Sequence, residues 1–459
     1  SSGSALGVSV GGPGEFGATD VTNLLGNLGA LGGAVNNNGF RAGSIVSFDT
    51  TNAAGGTFTV ADTIANSTGT GGGTVNLTKT GSNTLVLSGA STYTGTTSIA
   101  GGSLQISNGA ALASTSGTTN VQTGILELSG GISTSEPLTL QGNNTAASAD
   151  RLVNVGGDNT IAGKISPGPG GDKHGLRSDA GKLTVTGDIE GTASGNRFLY
   201  LRGSAAGEIS GDLLVGCGNA ALLKEGTGPW TLSGANTYTG ATTVTAGTLH
   251  LAAGSTVSAI TVNSGAILGF TLGSSITSTS TLTLDAGALI KVTGTPALPS
   301  YTLITTASPV TGTPVLDVAI PGYALVVDGN SIKLNSTGSS GFSSWITGTF
   351  ANGSVPGGQQ GPNDDPDGDG VSNLVEYAVA GLDPTVSNGS VGTFSGLTLT
   401  FTKRSPLATD ISYIIENSPS LQPPWTPQVT QGLGNTDPTI SYTLPTGGGK
   451  LFARLKVEQ

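Results

Sequence analysis

The sequence has no methionine and only one cysteine, Cys217, in 459 residues. A lone thiol excludes any intrachain disulfide, so packing and hydrogen bonds must hold the fold. Cys217 itself reads as a small buried residue at a strand end. The missing methionine at position 1 points to a mature chain whose signal peptide has been removed, and hence to an extracellular or cell-surface location. Charged residues are also scarce, at 10%, and aromatics reach only 5%. The net charge of −11 is the opposite of the basic stripe that nucleic acid requires. No apolar run approaches the roughly 18 residues of a transmembrane helix, so no membrane insertion is expected.

What the sequence does have is glycine, 77 residues of it, with abundant serine and threonine. Helix formers are few, whereas β-branched residues and turn formers are rich, so the fold class is all-β. Disorder is the competing outcome for such a composition, but apolar pairs recur too regularly for it. Phe58/Val60, Leu85/Leu87, Leu104/Ile106, Leu126/Leu128, Val153/Val155, Leu249/Leu251 and Leu325/Val327 are examples. A spacing of two puts both members on one face of a strand.

Residues 77–106 and 222–251 repeat one another without a gap. Lys79 and Gly81 correspond to Lys224 and Gly226, Leu87-Ser88-Gly89-Ala90 to Leu232-Ser233-Gly234-Ala235, and Tyr93-Thr94-Gly95 to Tyr238-Thr239-Gly240. A unit of short strands with one apolar face cannot bury that face alone and must stack on neighbours. The pattern resembles the autotransporter-associated β-strand repeat of bacterial passenger domains and large surface proteins. That resemblance implies a right-handed parallel β-helix (solenoid). With roughly 20 to 25 residues per coil, about 12 to 15 coils would stack at about 4.8 Å into a rod of about 60 to 70 Å. Antiparallel sandwiches are the alternative architecture.

Five segments are expected. Residues 1–40 form an N-terminal cap or strand-exchange segment, in which Val21–Val35 reads equally as a glycine-weakened helix or an extended strand. Residues 41–296 form the solenoid, 297–335 close it, 336–384 are a linker with a metal loop, and 385–459 are a small β-sandwich-like domain. The closing segment resembles the one that follows such repeats. The last domain, with Ser418–Leu421 and Trp425, resembles the small β-domain that ends many bacterial surface proteins. Pro167–Gly175 reads as a loop leaving the coil. Asp172, Lys173, His174, Arg177 and Asp179 within and beside it are expected to be solvated. His250 is expected to face solvent and Trp230 to lie in the core.

One stretch has metal-binding chemistry. Asp365-Pro366-Asp367-Gly368-Asp369-Gly370-Val371-Ser372-Asn373-Leu374-Val375-Glu376 fits D-x-D-x-D-G-x₅-E throughout. Carboxylates at alternate positions converge on a hard cation, and the glycine at position six allows the sharp turn. The Val371 carbonyl, Asn373 and a bidentate Glu376 complete the shell. The expected metal set is therefore Asp365, Asp367, Asp369, Val371, Asn373 and Glu376, and the expected ion is calcium. Asn363, Asp364 and Asp383 are further candidates. With one flanking helix, the stretch resembles the half-motif of dockerin and thrombospondin type 3 repeats. Affinity on the order of 10⁻⁴ to 10⁻³ M suits an extracellular module.

No nucleophile elbow, zinc-protease motif, C-x-x-C or phosphate loop occurs. The leading expectation is a non-enzymatic extracellular structural protein that partners with itself in a filament, surface layer or appendage. An adhesin binding surface glycans is second, and requires an aromatic or Asn/Asp ladder on one solenoid face. A β-helix polysaccharide-degrading enzyme is third, since it needs clustered acids that the rod has in small number.

Overall fold

The computed structural model describes all residues except 1–3, 31–39, 69–70, 113–116, 192–194, 216–219, 235, 237, 253–254, 274, 297–299, 337–340, 351–356, 405–406, 409 and 447–449. Cys217 and residues 337–340 and 351–356 of the expected linker therefore lie outside the described residues. The chain divides into two units, residues 1–319 with 325–334 and residues 320–324 with 335–459. No described helix is long and apolar enough to cross a membrane.

The first unit is a parallel β-solenoid, not a set of antiparallel sandwiches. Two nine-stranded sheets and one eleven-stranded sheet run along it, and a five-stranded sheet is added towards its end. Alternate residues point inward, so in-register stacking makes continuous apolar columns. In the eleven-stranded sheet Phe58 faces Leu85, then Leu104, Leu126, Leu152, Leu176 and Leu201, and all are buried. Among the described residues coils vary from 18 residues, Thr242 to Ile260, to 40, Ala5 to Ile45. Eleven strands at about 4.8 Å span about 50 Å, shorter than the expected rod because several coils exceed 25 residues.

The N-terminal segment contains both a strand and a helix. Ala5–Ser9 pairs in parallel with Ser44–Asp49 and begins the first sheet. Helix α1, Ala18–Ala30, packs against Thr57–Val60, and Thr22 Oγ1 donates to Asp62 Oδ2 at 2.7 Å. Within residues 297–335, Ser300–Thr306, Tyr323–Asp328 and Ser331–Ser336 join the five-stranded sheet.

The doublet repeats mark corners of the coil. Lys79 and Lys224 are fully buried, which a sequence-based reading does not suggest for lysine. The Lys79 ammonium donates to the carbonyls of Thr80 (2.7 Å), Gly81 (2.9 Å) and Gly101 (3.1 Å). Lys224 does the same to Glu225 (2.9 Å), Gly226 (2.8 Å) and Ala246 (2.9 Å). Each lysine thus ties its own corner to the next coil. The tyrosines are equally matched: Tyr93 with Thr97, and Tyr238 with Thr242, share hydroxyl hydrogen bonds of 2.6 Å in the core. A Cβ on Gly95 would lie 2.1 Å from the Val75 carbonyl oxygen, and one on Gly240 would lie 2.1 Å from that of Ala220. The glycines are there because neighbouring backbones meet.

The two copies occupy different faces. In the first, Val75–Thr80 and Thr84–Leu87 belong to the first nine-stranded and the eleven-stranded sheet. In the second, Ala220–Lys224 and Trp230–Leu232 belong to the eleven-stranded and the second nine-stranded sheet. Between the copies the motif has advanced by one face.

Beside Thr97, Thr119 extends the inner polar row and donates to Glu136 Oε1 at 3.3 Å. Glu136 is buried and its Oε2 has no partner. Burial pushes its carboxyl up to about 7, against the Thr119 bond. Because the folded value lies above the unfolded one, stability from this group is complete below about pH 4.5 and lost as pH rises through 7. Glu136→Gln should leave melting at pH 5 nearly unchanged and raise it at pH 8. Thermal melts of both proteins at the two pH values check this.

The second unit has one hydrophobic core. Helix α2, Phe342–Thr349, and helix α3, Asn373–Ala378, contribute Phe342, Ile346, Leu374 and Tyr377 to it, and the strands contribute Phe401, Tyr413, Ile415 and Ile440. Two three-stranded antiparallel sheets complete the unit. The segments expected as a linker, 336–384, and as a separate β-domain, 385–459, thus share a core.

Candidate metal centre

The acidic loop folds around its own carboxylates. Asp365 Oδ1 accepts from the backbone N–H groups of Gly368 (2.9 Å) and Asp369 (3.2 Å), and Oδ2 accepts from Gly370 (2.8 Å). Asp367 Oδ1 accepts from the Asp369 N–H at 3.2 Å, and Asp369 Oδ1 from the Val371 N–H at 2.8 Å. Gly370 has a φ of 88°, a left-handed conformation that glycine adopts without strain. Oxygens of Asp365, Asp367 and Asp369 come within 4.8 Å of one another.

Glu376 enters from the first turn of α3 and is only 2% exposed. Its Oε1 accepts from Asn388 Nδ2 at 2.5 Å, while its Oε2 and Asp367 Oδ2 are buried without a partner. Burial, then the charges of Asp367, Asp369, Asp365 and Asp383, push the Glu376 carboxyl up to about 8. Burial likewise raises Asp367. The Asn388 N–H, donating to Asp369 Oδ2 at 2.5 Å, leads the contacts that lower Asp369. Two orphaned buried oxygens beside two further carboxylates form a hard-oxygen donor set short of positive charge, which fits a calcium ion.

Asn373 is buried, and its Nδ2 donates to the carbonyls of Gln359 (3.1 Å) and Gly361 (2.9 Å). Its Oδ1 has no partner. Val371 follows the turn, its N–H already held by Asp369. Two of the further candidates, Asp364 and Asp383, hold turns. Asp364 Oδ2 accepts from the Gly361 N–H at 2.7 Å, and Asp383 Oδ1 from Thr385 N (2.9 Å) and Oγ1 (2.7 Å). Asn388, which braces both Asp369 and Glu376, was not foreseen. It lies beyond the loop motif, and no spacing rule marks it.

The ionisable cluster of the solenoid differs from expectation. Lys173–Ser178 is a strand of the eleven-stranded sheet, so this part of the expected loop is wall. His174 faces inward in register with Leu199 and is buried. Its Nδ1 meets the Leu140 carbonyl at 3.1 Å, so Nδ1 carries the proton. Burial, with Arg197 and Arg151 nearby, holds the imidazole down at about 4, neutral at pH 7. On the outer face, Arg202 binds Asp150 (2.8 Å) and Glu225 (2.9 Å), and Arg177 binds Asp179 (2.7 Å). These acids are bound in ion pairs between and within coils. His250 is partly exposed and its Nε2 lies 2.9 Å from Thr271 Oγ1. Trp230 is fully buried, and its Nε1 donates to the Arg202 carbonyl at 3.0 Å.

No curated protein and no solved structure matches the chain. Residues 77–106 and 222–251 match the passenger-associated-transport-repeat family, and these are the two stretches whose lysine, glycine and tyrosine build the corners. In its repeat and its parallel solenoid the chain is similar to passenger-type proteins of the autotransporter kind.

Proposed function

We propose that the chain is a non-enzymatic extracellular structural protein whose copies assemble with one another, with calcium fixing the acidic loop of its second unit. One observation supports this reading above others: the distinctive groups of both repeats are committed to internal bonds. Both lysines hold three carbonyls each, and both tyrosines are hydrogen-bonded in the core. Such groups make a scaffold. Sedimentation and negative-stain imaging of the purified chain with calcium test the reading. Polymers are expected, and a single monomeric species at every concentration would overturn it.

A second reading, binding of a neutral surface glycan, has its own support. Ser47, Thr78, Ser98, Asn120, Thr139 and Ser166 stack in register on the outside of the first sheet. An uncharged ladder of hydroxyl and amide groups suits a polyhydroxyl polymer without the cost of desolvating charge. Retention on a neutral polysaccharide column, lost in Thr78→Lys and Asn120→Lys, would favour it.

A further inference from the structure

The large apolar side chains exposed on the solenoid are confined to its two ends. Among the described residues they are Phe16, beside the first coil, and Val315, Val318, Val326 and Val327, at the last. Val318 is 72% exposed. The long flanks between them present threonine, serine and paired charges. Exposed apolar groups gathered in this way mark a contact surface.

The strands at the two ends fit that interpretation. Ala5–Ser9 is the first strand of its sheet and has a ladder partner on one side only among the described residues. At the other end Val315–Leu316 is the last strand of the second nine-stranded sheet. An unpaired strand edge is a template for another chain. The N-terminal end also has a receptacle. Between α1 and the coils beneath it lies a cavity of about 400 Å³, lined by Leu25, Phe40, Val46, Ile64 and Val75, with Asp62 at its polar side. The C-terminal end has branched aliphatic side chains of a size to enter such a cavity.

We propose that a second copy of this chain is the partner of both ends: the valine-bearing C-terminal end of one solenoid docks on the N-terminal end of the next. The proposal rests on the self-assembly reading and specifies its geometry. The two surfaces are different, a projecting patch and a cavity, so the contact is heterologous. A heterologous contact that does not close into a ring propagates as a filament. The flanks stay free, and each added copy presents the same end again.

Paired end-blocking variants test it, with sedimentation of the full chain in calcium as the readout. Val318→Asp places a charge on the C-terminal patch, and Phe16→Asp places one at the N-terminal end. Leu25→Lys, at the cavity, is a second N-terminal variant should Phe16→Asp unfold, and thermal melts identify the folded proteins. Each variant alone is expected to lose the polymer series and sediment as a monomer. Mixed in equal amounts, a C-blocked and an N-blocked variant retain one intact surface of each kind, so they should form a dimer and nothing larger. A Phe16→Asp protein that dimerises alone would overturn the proposal in favour of a closed contact between two C-terminal ends. Polymers that persist in both variants would overturn the end-to-end geometry while leaving self-assembly in place. A wild-type chain that never assembles would remove self-assembly itself.

Discussion

Lys224→Met is expected to lower the melting temperature of the solenoid by roughly 10 °C, and Lys79→Met by a similar amount. The Lys224 ammonium satisfies three carbonyls of two consecutive coils, at 2.8 to 2.9 Å. Methionine fills the space but donates nothing, and each abandoned buried acceptor costs about 1 to 3 kcal/mol. Some relaxation towards water reduces the sum, giving about 3 to 5 kcal/mol, in the range for breaking a buried charged contact. Arginine should not restore the loss, because its planar fork cannot direct three donors as an ammonium does. The two lysines have no partner in common, so the double variant should lose about the sum. Thermal melts of the four proteins measure this, and unchanged melting in both single variants would show that the corners hold without their anchors.

The second large effect concerns calcium in the second unit. Saturating the loop at about 100 times its dissociation constant should stabilise that unit by about 2.7 kcal/mol, and a chelator should remove the gain. The effect depends on pH with a defined sign. Without the ion, Glu376 has a folded value of about 8 against an ordinary 4.5. Stability from this group is complete below about pH 4.5 and falls as pH rises through 8. Calcium needs the carboxylate, so binding releases a proton and tightens as pH rises towards 8. Melting with chelator should therefore fall from pH 5 to pH 8, while the calcium increment grows over the same interval. Glu376→Gln should flatten the chelated slope and abolish most of the calcium response. Equal melting with calcium and with chelator at pH 7.5 would remove the ion from the proposed function.

The apolar doublets made the solenoid legible, because an inward pair two residues apart is the smallest unit of a stacked coil. They misled where a polar residue took a core position. Val153 and Val155 are spaced as an inward pair, yet Leu152 and Asn154 hold those positions. Asn154 is tolerated there because its Nδ2 donates to the carbonyls of Ala180 (2.6 Å) and Gly157 (3.1 Å). A register irregularity between Asp150 and Leu152 helps displace the alternation. Leu325/Val327 failed differently: on the edge strand of the last sheet, Val327 is turned outward. His174 illustrates the limit on polar residues, since its buried position follows from a carbonyl 34 residues earlier. In the metal loop the alternating aspartates were legible because local spacing alone brings them together. Asn388 was not, because the fold rather than the motif brings it there.

The advance of the repeat by one face has a consequence for reshaping this molecule. A splice from Lys79 directly to Glu225 would preserve the motif perfectly and remove whole coils. It would also transfer the strand following the anchor from the eleven-stranded sheet to the second nine-stranded one. Everything downstream would then be rotated about the long axis relative to everything upstream. Length and angular phase are thus separate variables in this chain. A shortened version that keeps its surfaces aligned must be cut between residues paired in one ladder, such as Thr97 and Thr119, and not between residues that merely look alike.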